Sequence, residues 1–180
     1  MKRVMIIGCC GSGKSTLAFQ LAPILNLPLT HLDQLYWQPG WVESSLADFE
    51  SKLNEVLKSD SWLIDGNYTR TIQERAHMAD TIIFLDFSTF DCIIGVLKRI
   101  FTGYGKVRKD MSAGCPERLD LEFISYVLNF KRTNHPKILQ CLQEMNAEKR
   151  IITLKNRQIV RDFVHSIQSV YATNSQQLPK

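Results

Sequence analysis

Eight residues near the N-terminus constrain this chain more than any other feature. Residues 8–15 read GCCGSGKS and match the phosphate-binding pattern G-x-x-x-x-G-K-[ST] at every position. Residues 2–7 before them predict a short buried strand, and residues 16–22 after them have the apolar spacing of a helix. A glycine-rich loop in that setting surrounds a phosphate with backbone N–H groups, and the helix N-terminus adds partial positive charge. The pattern predicts a site for a nucleoside triphosphate, ATP.

This phosphate loop (residues 8–15) and the residue after it supply the predicted nucleotide contacts. They are Gly8, Cys9, Cys10, Gly11, Ser12, Gly13, Lys14, Ser15 and Thr16. We expect the Lys14 ammonium on the β- and γ-phosphates and the Ser15 hydroxyl on Mg²⁺. At least one of the two loop thiols should be exposed without nucleotide and have a lowered pKa beside Lys14. The alternative is that both thiols fill the interface between sheet and helix.

Length and composition predict one domain. The 180 residues suffice for a single core, which we place at residues 1–171, with a loose polar tail at 172–180. No run of eighteen apolar residues occurs, so we expect no membrane span, and the opening strand leaves no room for a signal peptide. The five cysteines form no C-x-x-C pair, which favours reduced thiols and a cytoplasmic location.

The net charge of +4 is concentrated in one stretch of the chain, residues 98–118. It holds six basic residues (Lys98, Arg99, Lys106, Arg108, Lys109 and Arg118) and two acids, so the rest of the chain is balanced. We call this stretch the lid segment, because such a basic stretch can close over a triphosphate. We expect Arg108 and Arg118 to neutralise charge in the transition state and Arg99 to contact the nucleotide.

Predicted strands and helices alternate along the whole chain. Besides the first strand, apolar runs predict four more strands, at 28–32, 62–64, 81–85 and 151–154. A final helix is expected at about 158–171. Ser45, Thr71 and Ser88 each begin a capping pattern before a predicted helix. Continuous apolar strands alternating with helices indicate a five-stranded parallel sheet with helices on both faces. The predicted class is α/β, the three-layer fold of P-loop nucleotide-binding proteins.

Two aspartates could provide the second magnesium contact of such a site. Asp65 ends the strand 62–64, and we expect it beside the strand of the phosphate loop, within reach of Ser15 and Mg²⁺. Asp86 also ends a strand and is the alternative. No D-x-x-G or N-K-x-D pattern occurs, which excludes a GTPase, and the chain is too short for a large motor or transporter ATPase. Small kinases remain.

Five stretches of the chain resemble a known family. They are residues 8–16, HLDQLYW at 31–37, WLIDGNY at 62–68, ADTIIFLD at 79–86 and RKDM at 108–111. They are similar to the bacterial DNA topology modulation family (FlaR type), from Val4 to about Val164. That family is itself similar to adenylate kinase. The resemblance implies transfer of the γ-phosphoryl group of Mg-ATP to a small acceptor, a nucleotide or nucleoside.

The same resemblance implies roles for further residues. Residues 63–70 are similar to the adenylate kinase stretch L-D-G-[FY]-P-R, in which the Asp supports Mg²⁺ through water and the Arg grips the acceptor phosphate. Arg70 follows Asp65 by five residues here, not four, and no proline precedes it. Asp33 would face the acceptor hydroxyl or hold a water on Mg²⁺. Asn156 lies where small kinases place the adenine.

Aromatic side chains follow Asp33 closely. Tyr36 and Trp37 could stack on a base or sugar of the acceptor, or cover the core. The family name also leaves a second function open, a nucleotide-dependent DNA-binding regulator with ATPase activity alone. The chain has no recognisable helix-turn-helix, zinc finger or long basic stripe, so we expect DNA binding to be weak. Monomer and homodimer both remain open.

Overall fold

The computed structural model describes residues 1–145 and 147–176. Its strands and helices, in chain order, are β1 Arg3–Gly8, α1 Lys14–Leu25, β2 Leu29–His31, α2 Leu32–Tyr36, β3 Trp37–Gln38, β4 Val42–Glu43, α3 Leu46–Leu57, β5 Trp62–Asp65, α4 Ile72–Met78, β6 Thr81–Leu85, α5 Thr89–Gly103, α6 Leu121–Thr133, α7 His135–Met145, β7 Arg150–Leu154 and α8 Arg157–Gln176. A 3₁₀ turn at Thr69–Thr71 leads into α4.

Five parallel strands form the central sheet, in the order β2-β5-β1-β6-β7. Residues 4–7 of β1 are completely buried, as expected for a central strand covered on both faces. Helix α1 packs against α8, while α4, α6 and α7 form a second group with α5, and β1 contacts both α1 and α4. The predicted α/β fold, with a five-stranded parallel sheet between helices, is confirmed.

The strand order places a crevice at the carboxyl end of β1. The chain leaves β1 toward β2 on one side, whereas β6 and β7 lie on the other side. In open parallel sheets, ligands bind where connections diverge in this way. The phosphate loop therefore lies between two groups of loops, those after β2 and β5 and those after β6 and β7.

Several boundaries differ from the predicted ones. Asp33 lies in the first turn of α2 and not at the end of a strand, and the pair β3–β4 had no recognised signal in the sequence. The first six residues of the lid segment belong to α5. Helix α8 continues to Gln176, beyond the predicted end at residue 171, and residues 177–180 of the expected tail lie outside the described residues. None of the helices described is both long and apolar enough to cross a membrane.

Candidate active site

The phosphate loop has the backbone needed to hold phosphate. Gly11 and Gly13 have φ values of +81° and +96°, a left-handed conformation that favours glycine. A Cβ built on Gly13 would meet nothing within 4 Å, so the loop is open there. No side chain caps α1 at its N-terminus. The first N–H groups of α1 have no partners within the helix and can donate to an anion.

One polar contact anchors the start of this loop, and one buried hydroxyl within it is left without a partner. The Gly8 N–H donates to Asn67 Oδ1 at 2.9 Å, which ties the start of the loop to the segment after β5. Ser12 is 2% exposed, and its Oγ has no hydrogen-bond partner among the described residues. An orphaned hydroxyl in an open loop is a group that a bound phosphate would satisfy. The loop thus fits a phosphate chain.

Lys14 folds back over the loop. Its Nζ donates to the Cys9 carbonyl at 3.2 Å. Burial by itself would lower the pKa of Lys14, but the Cys10 thiol and the carboxyl groups of Asp65 and Asp33 outweigh it and raise that pKa. Lys14 is therefore a positive charge set among acidic groups, available to a phosphate.

The two loop thiols differ from each other. Cys9 is 4% exposed; its side-chain hydrogen bond with Cys92, together with burial, raises its pKa. Cys10 is half-buried and lines the cleft, and burial raises its pKa too. The lowered thiol pKa expected beside Lys14 was wrong, because loss of solvation exceeds the attraction of the ammonium.

Asp65 and Asp86 lie on opposite sides of the strand that leads into the phosphate loop. Asp65 ends β5, lines the cleft and accepts a hydrogen bond from His31 Nδ1 at 2.8 Å. Asp86 follows β6 and is held by Lys131 and by His135, the latter at 2.9 Å. These two contacts lower the pKa of Asp86 even though burial acts to raise it. Asp86 is thus used in structural ion pairs, whereas Asp65 faces the cleft with Ser15.

Asp33 lies among aromatic rings. Tyr68 Oη donates to Asp33 Oδ1 at 2.8 Å. Burial raises the pKa of Asp33, although the Tyr68 hydroxyl opposes that shift. The Tyr36 ring contacts those of Trp37, Phe49 and Tyr68, with centroids 5.0–5.6 Å apart. The structure brings Asp33, Tyr36 and Trp37 together at the cleft, and their contact with an acceptor stays a prediction.

Arg75 holds this side of the cleft in place, and the sequence gave no indication of it. It is completely buried, and burial lowers its pKa to about 9. Its guanidinium donates to the carbonyls of Gly66 (3.0 Å), Asn67 and Tyr68 (3.2 Å). Tyr68 has a φ of +35°, a strained value that Arg75 stabilises by binding the carbonyls around it. Arginine at the centre of a short helix carries no sequence signal for such a clamp.

The three arginines of the lid segment are paired with carboxylates. Arg99 and Arg108 both contact Glu117, at 3.0 and 2.8 Å, and Arg108 also contacts Asp110 at 2.7 Å. Glu117 is 4% exposed, so this is a buried charge cluster. Arg118 is mostly exposed; it is 3.4 Å from Asp120 and lies over the Trp41 ring.

The rest of the lid segment is bound to residues 34–41 across the cleft. Gln34 Nε2 donates to the Lys109 carbonyl at 2.8 Å, and the Gly40 N–H donates to the Gly114 carbonyl at 2.9 Å. Trp41 Nε1 donates to the Pro116 carbonyl at 3.1 Å. The segment therefore closes one end of the cleft in this conformation.

The cleft has a volume of about 920 Å³, at the upper end of the range for ligand pockets of ~300–1,000 Å³. Outside α1 and the phosphate loop, we divide its lining by chain position: residues 33–70, which follow β2 and β5, form the aromatic wall, and residues 95–157, which follow β6 and β7, form the basic wall. The aromatic wall consists of Asp33, Tyr36, Trp37, Glu43, Leu46, Phe49, Asp65, Gly66, Asn67, Tyr68, Thr69 and Arg70. The basic wall consists of Gly95, Lys98, Arg99, Arg108, Asp110, Phe123, Tyr126, Asn134 and Arg157.

Three predicted site residues occupy less central places. Arg70 lines the aromatic wall but is exposed, 3.6 Å from Glu50. Asn156 caps α8, with its Oδ1 accepting from the Ile159 N–H at 2.9 Å, and its neighbour Arg157 lines the cleft instead. Arg118 does not line the cleft in this conformation.

Gly95 is a second residue that the sequence motifs missed. It lies on α5, where a Cβ would be 2.1 Å from the Gly11 carbonyl oxygen. The missing side chain lets α5 approach the phosphate loop directly. A lone glycine inside a predicted helix is a weak signal of such close packing.

The protein resembles solved structures of small kinases over nearly its whole length. A shikimate kinase from Acinetobacter baumannii, in complex with shikimate, has a TM-score of 0.56 and 13% identity; the match covers 99% of this chain and 96% of that chain. A gluconokinase from Sinorhizobium meliloti 1021 has a TM-score of 0.53 and 16% identity, with 97% and 94% covered. These likenesses show a shared fold. No family model matches the sequence, and no curated protein matches it significantly.

Proposed function

We propose that this protein is a Mg-ATP-dependent kinase that transfers the γ-phosphoryl group to a hydroxyl of a small acceptor, a nucleotide or nucleoside. The observation that carries the proposal is one cleft that contains an open phosphate loop, a basic wall and, opposite, the half-buried carboxylate of Asp33 among aromatic rings. The fold shared with small kinases supports it. Membership of the DNA topology modulation family and a cytoplasmic location belong to the same proposal.

The nucleotide would be bound by the phosphate loop and the basic wall. The loop N–H groups and Lys14 hold the phosphates, and Ser15 and Asp65 are the residues that would hold Mg²⁺. Mg²⁺, when bound, neutralises charge on the β- and γ-phosphates. Arg99 and Arg108 lie where they can exchange their contacts with Glu117 for phosphate oxygens, and Arg118 would join them by a movement of the lid segment. Arg157, at the start of α8, lines the cleft and would contact the base, with the capping residue Asn156 beside it.

The acceptor would lie against the aromatic wall. Asp33 can accept a hydrogen bond from the acceptor hydroxyl, and the Tyr68 hydroxyl keeps the carboxylate oriented. Phosphoryl transfer depends mainly on such positioning and on charge neutralisation, because little covalent chemistry is asked of the protein. Tyr36, Trp37 and Arg70 would complete the contacts with the acceptor.

The charge pattern supports a small ligand over duplex DNA. Arg99, Arg108 and Arg118 of the basic lid segment each contact a carboxylate. We expect duplex binding to be weak, without sequence preference and lost by about 0.2 M salt.

The test is a phosphoryl-transfer assay with γ-labelled ATP, Mg²⁺ and a panel of nucleosides, nucleotides and shikimate. Label should appear in an acceptor, and Lys14→Ala should abolish the transfer. Lys52→Ala, on an exposed ion pair of α3, is the control and should behave as wild type. Tight, sequence-selective binding of duplex DNA at 0.2 M salt, with hydrolysis of ATP but no transfer, would overturn the proposal.

A further inference from the structure

The two walls of the cleft differ in charge. On the basic wall, four cations (Lys98, Arg99, Arg108 and Arg157) stand against two acids, Asp110 in the wall and Glu117 behind it, which pairs with Arg99 and Arg108. On the aromatic wall, the acids Asp33, Glu43 and Asp65 stand against Arg70. The side that would bind the acceptor is therefore negative, and the side that would bind the triphosphate is positive.

Arg70 is poorly suited to hold a phosphate on its own. Among the described residues that line the aromatic wall, it is the one basic side chain. Its side chain is 71% exposed and already lies 3.6 Å from Glu50. Exposed ion pairs of this kind contribute little free energy. A buried phosphate normally requires several charge-assisted hydrogen bonds, which this wall does not offer.

The same wall is well suited to a flat, uncharged ring. Tyr36, Trp37, Phe49 and Tyr68 form one cluster with mutual edge and tilted contacts. Tyr36 and Trp37 are half-buried at the cleft, so part of each ring is available to a ligand. Aromatic rings stabilise planar ligands by stacking and by apolar burial. The hydroxyl of such a ligand would then lie near Asp33.

We infer that the acceptor is an unphosphorylated alcohol with a flat ring, of the nucleoside type, and not a nucleoside monophosphate. This inference rests on the proposed function and narrows it. In the transfer step, the acceptor oxygen forms a bond to the γ-phosphorus while the bond from that phosphorus to the β–γ bridging oxygen breaks. ADP leaves, and the hydroxyl proton passes to the carboxylate of Asp33.

The experiment compares matched acceptors that differ by one phosphate. The adenine, guanine, cytosine and thymine nucleosides, and the 5′-monophosphate of each, are assayed with γ-labelled Mg-ATP. We expect kcat/KM for at least one nucleoside to exceed that for its own monophosphate ~10-fold or more, since Asp65 is assigned to Mg²⁺ and a second anion on this wall would face the carboxylates of Asp33 and Glu43 with one exposed arginine. Glu43→Gln should raise kcat/KM for the monophosphate and so reduce its difference from the nucleoside. Trp37→Leu should raise KM for the nucleoside by a larger factor than it lowers kcat.

The controls separate this inference from the proposed function. ATP affinity is measured first by calorimetry. Label transfer to monophosphates in preference to nucleosides would overturn the inference and leave the kinase proposal standing. ATP binding without transfer to any member of either set would also overturn it. A folded protein that does not bind ATP would refute both.

Discussion

The contact between Gly95 and the phosphate loop gives the sharpest prediction. A Cβ at Gly95 would lie 2.1 Å from the Gly11 carbonyl oxygen and 2.9 Å from its carbonyl carbon. Ordinary contact begins at 3.4 Å, so the nearer pair is short by 1.3 Å. Both groups are backbone, so the clash cannot be relieved by turning a side chain. In Gly95→Ala, α5 and the loop must move apart.

The size of the effect follows from two opposing terms. Alanine in place of glycine inside a helix stabilises it by about 1 kcal/mol. Forcing an extra methyl group into a packed site costs roughly 1–3 kcal/mol, and a backbone clash belongs at the upper end. The net expectation is a loss of ~1–2 kcal/mol of unfolding free energy. Because the displaced carbonyl belongs to the phosphate loop, ATP affinity should fall ~10-fold or more, which corresponds to about 1.4 kcal/mol.

The assay is urea denaturation combined with calorimetric titration of ATP, and Gly103→Ala is the matched control. Gly103 is the last residue of α5, and a Cβ there would meet only the Glu117 Cβ, at 3.9 Å. That variant should be at least as stable as wild type and bind ATP normally. If Gly95→Ala proves equally stable and binds ATP with unchanged affinity, the assigned packing of α5 on the loop is refuted.

Three further predictions concern the cleft. Burial raises the pKa of Asp33, so the folded protein binds that proton more tightly than the unfolded chain and loses stability as pH rises from about 4 through the folded value. Asp33→Asn should therefore raise Tm at pH 7 but not below about pH 4, and an unchanged Tm at pH 7 would contradict this. The same substitution should lower kcat ~10²-fold, and an unchanged kcat would contradict the role of Asp33 in the transfer. Arg108→Ala should lower kcat ~10²-fold, because Arg108 lines the cleft. Arg118→Ala should lower kcat by a smaller factor, because Arg118 is exposed and reaches the phosphates only by a movement of the lid segment; equal losses of kcat in steady-state assays would contradict this. A maleimide should label Cys10 slowly, and more slowly when Mg-ATP is bound, while the buried Cys9 stays unlabelled. If mass spectrometry shows the same labelling rate of Cys10 with and without Mg-ATP, Cys10 does not lie at the nucleotide site.

Local patterns in the sequence were sufficient for much of the fold. The apolar runs located all five strands of the main sheet, and the capping patterns at Ser45 and Ser88 are confirmed, with each hydroxyl accepting a backbone N–H at 3.1 Å. The predicted cap at Thr71 was wrong, because the Thr71 hydroxyl donates a hydrogen bond to the Tyr68 carbonyl and accepts one from Arg75 Nε. Residues close in sequence determine a cap. Arg75 is only four residues from Thr71, but its guanidinium is held by the carbonyls of Gly66 and Asn67, whose position depends on how the loop after β5 folds.

The candidate site was less predictable than the fold. The phosphate loop is contiguous in sequence, so its pattern carries the site directly. The cluster of Arg99, Arg108 and Glu117 and the packing of Gly95 on Gly11 join distant segments, and only the folded chain brings them together. Burial also reversed one electrostatic expectation, since Cys10 has a raised and not a lowered pKa. Such shifts depend on the solvent access that tertiary structure sets.

The central claim is that residues 8–15 bind the phosphates of ATP through Lys14. Calorimetric titration of Mg-ATP into wild type, Lys14→Ala and the exposed control Lys52→Ala tests it directly. Loss of one charge-assisted contact should weaken binding by at least ~10-fold in Lys14→Ala, with no change in Lys52→Ala and with thermal melts showing all three folded. A folded Lys14→Ala protein that binds ATP as tightly as wild type would contradict the account.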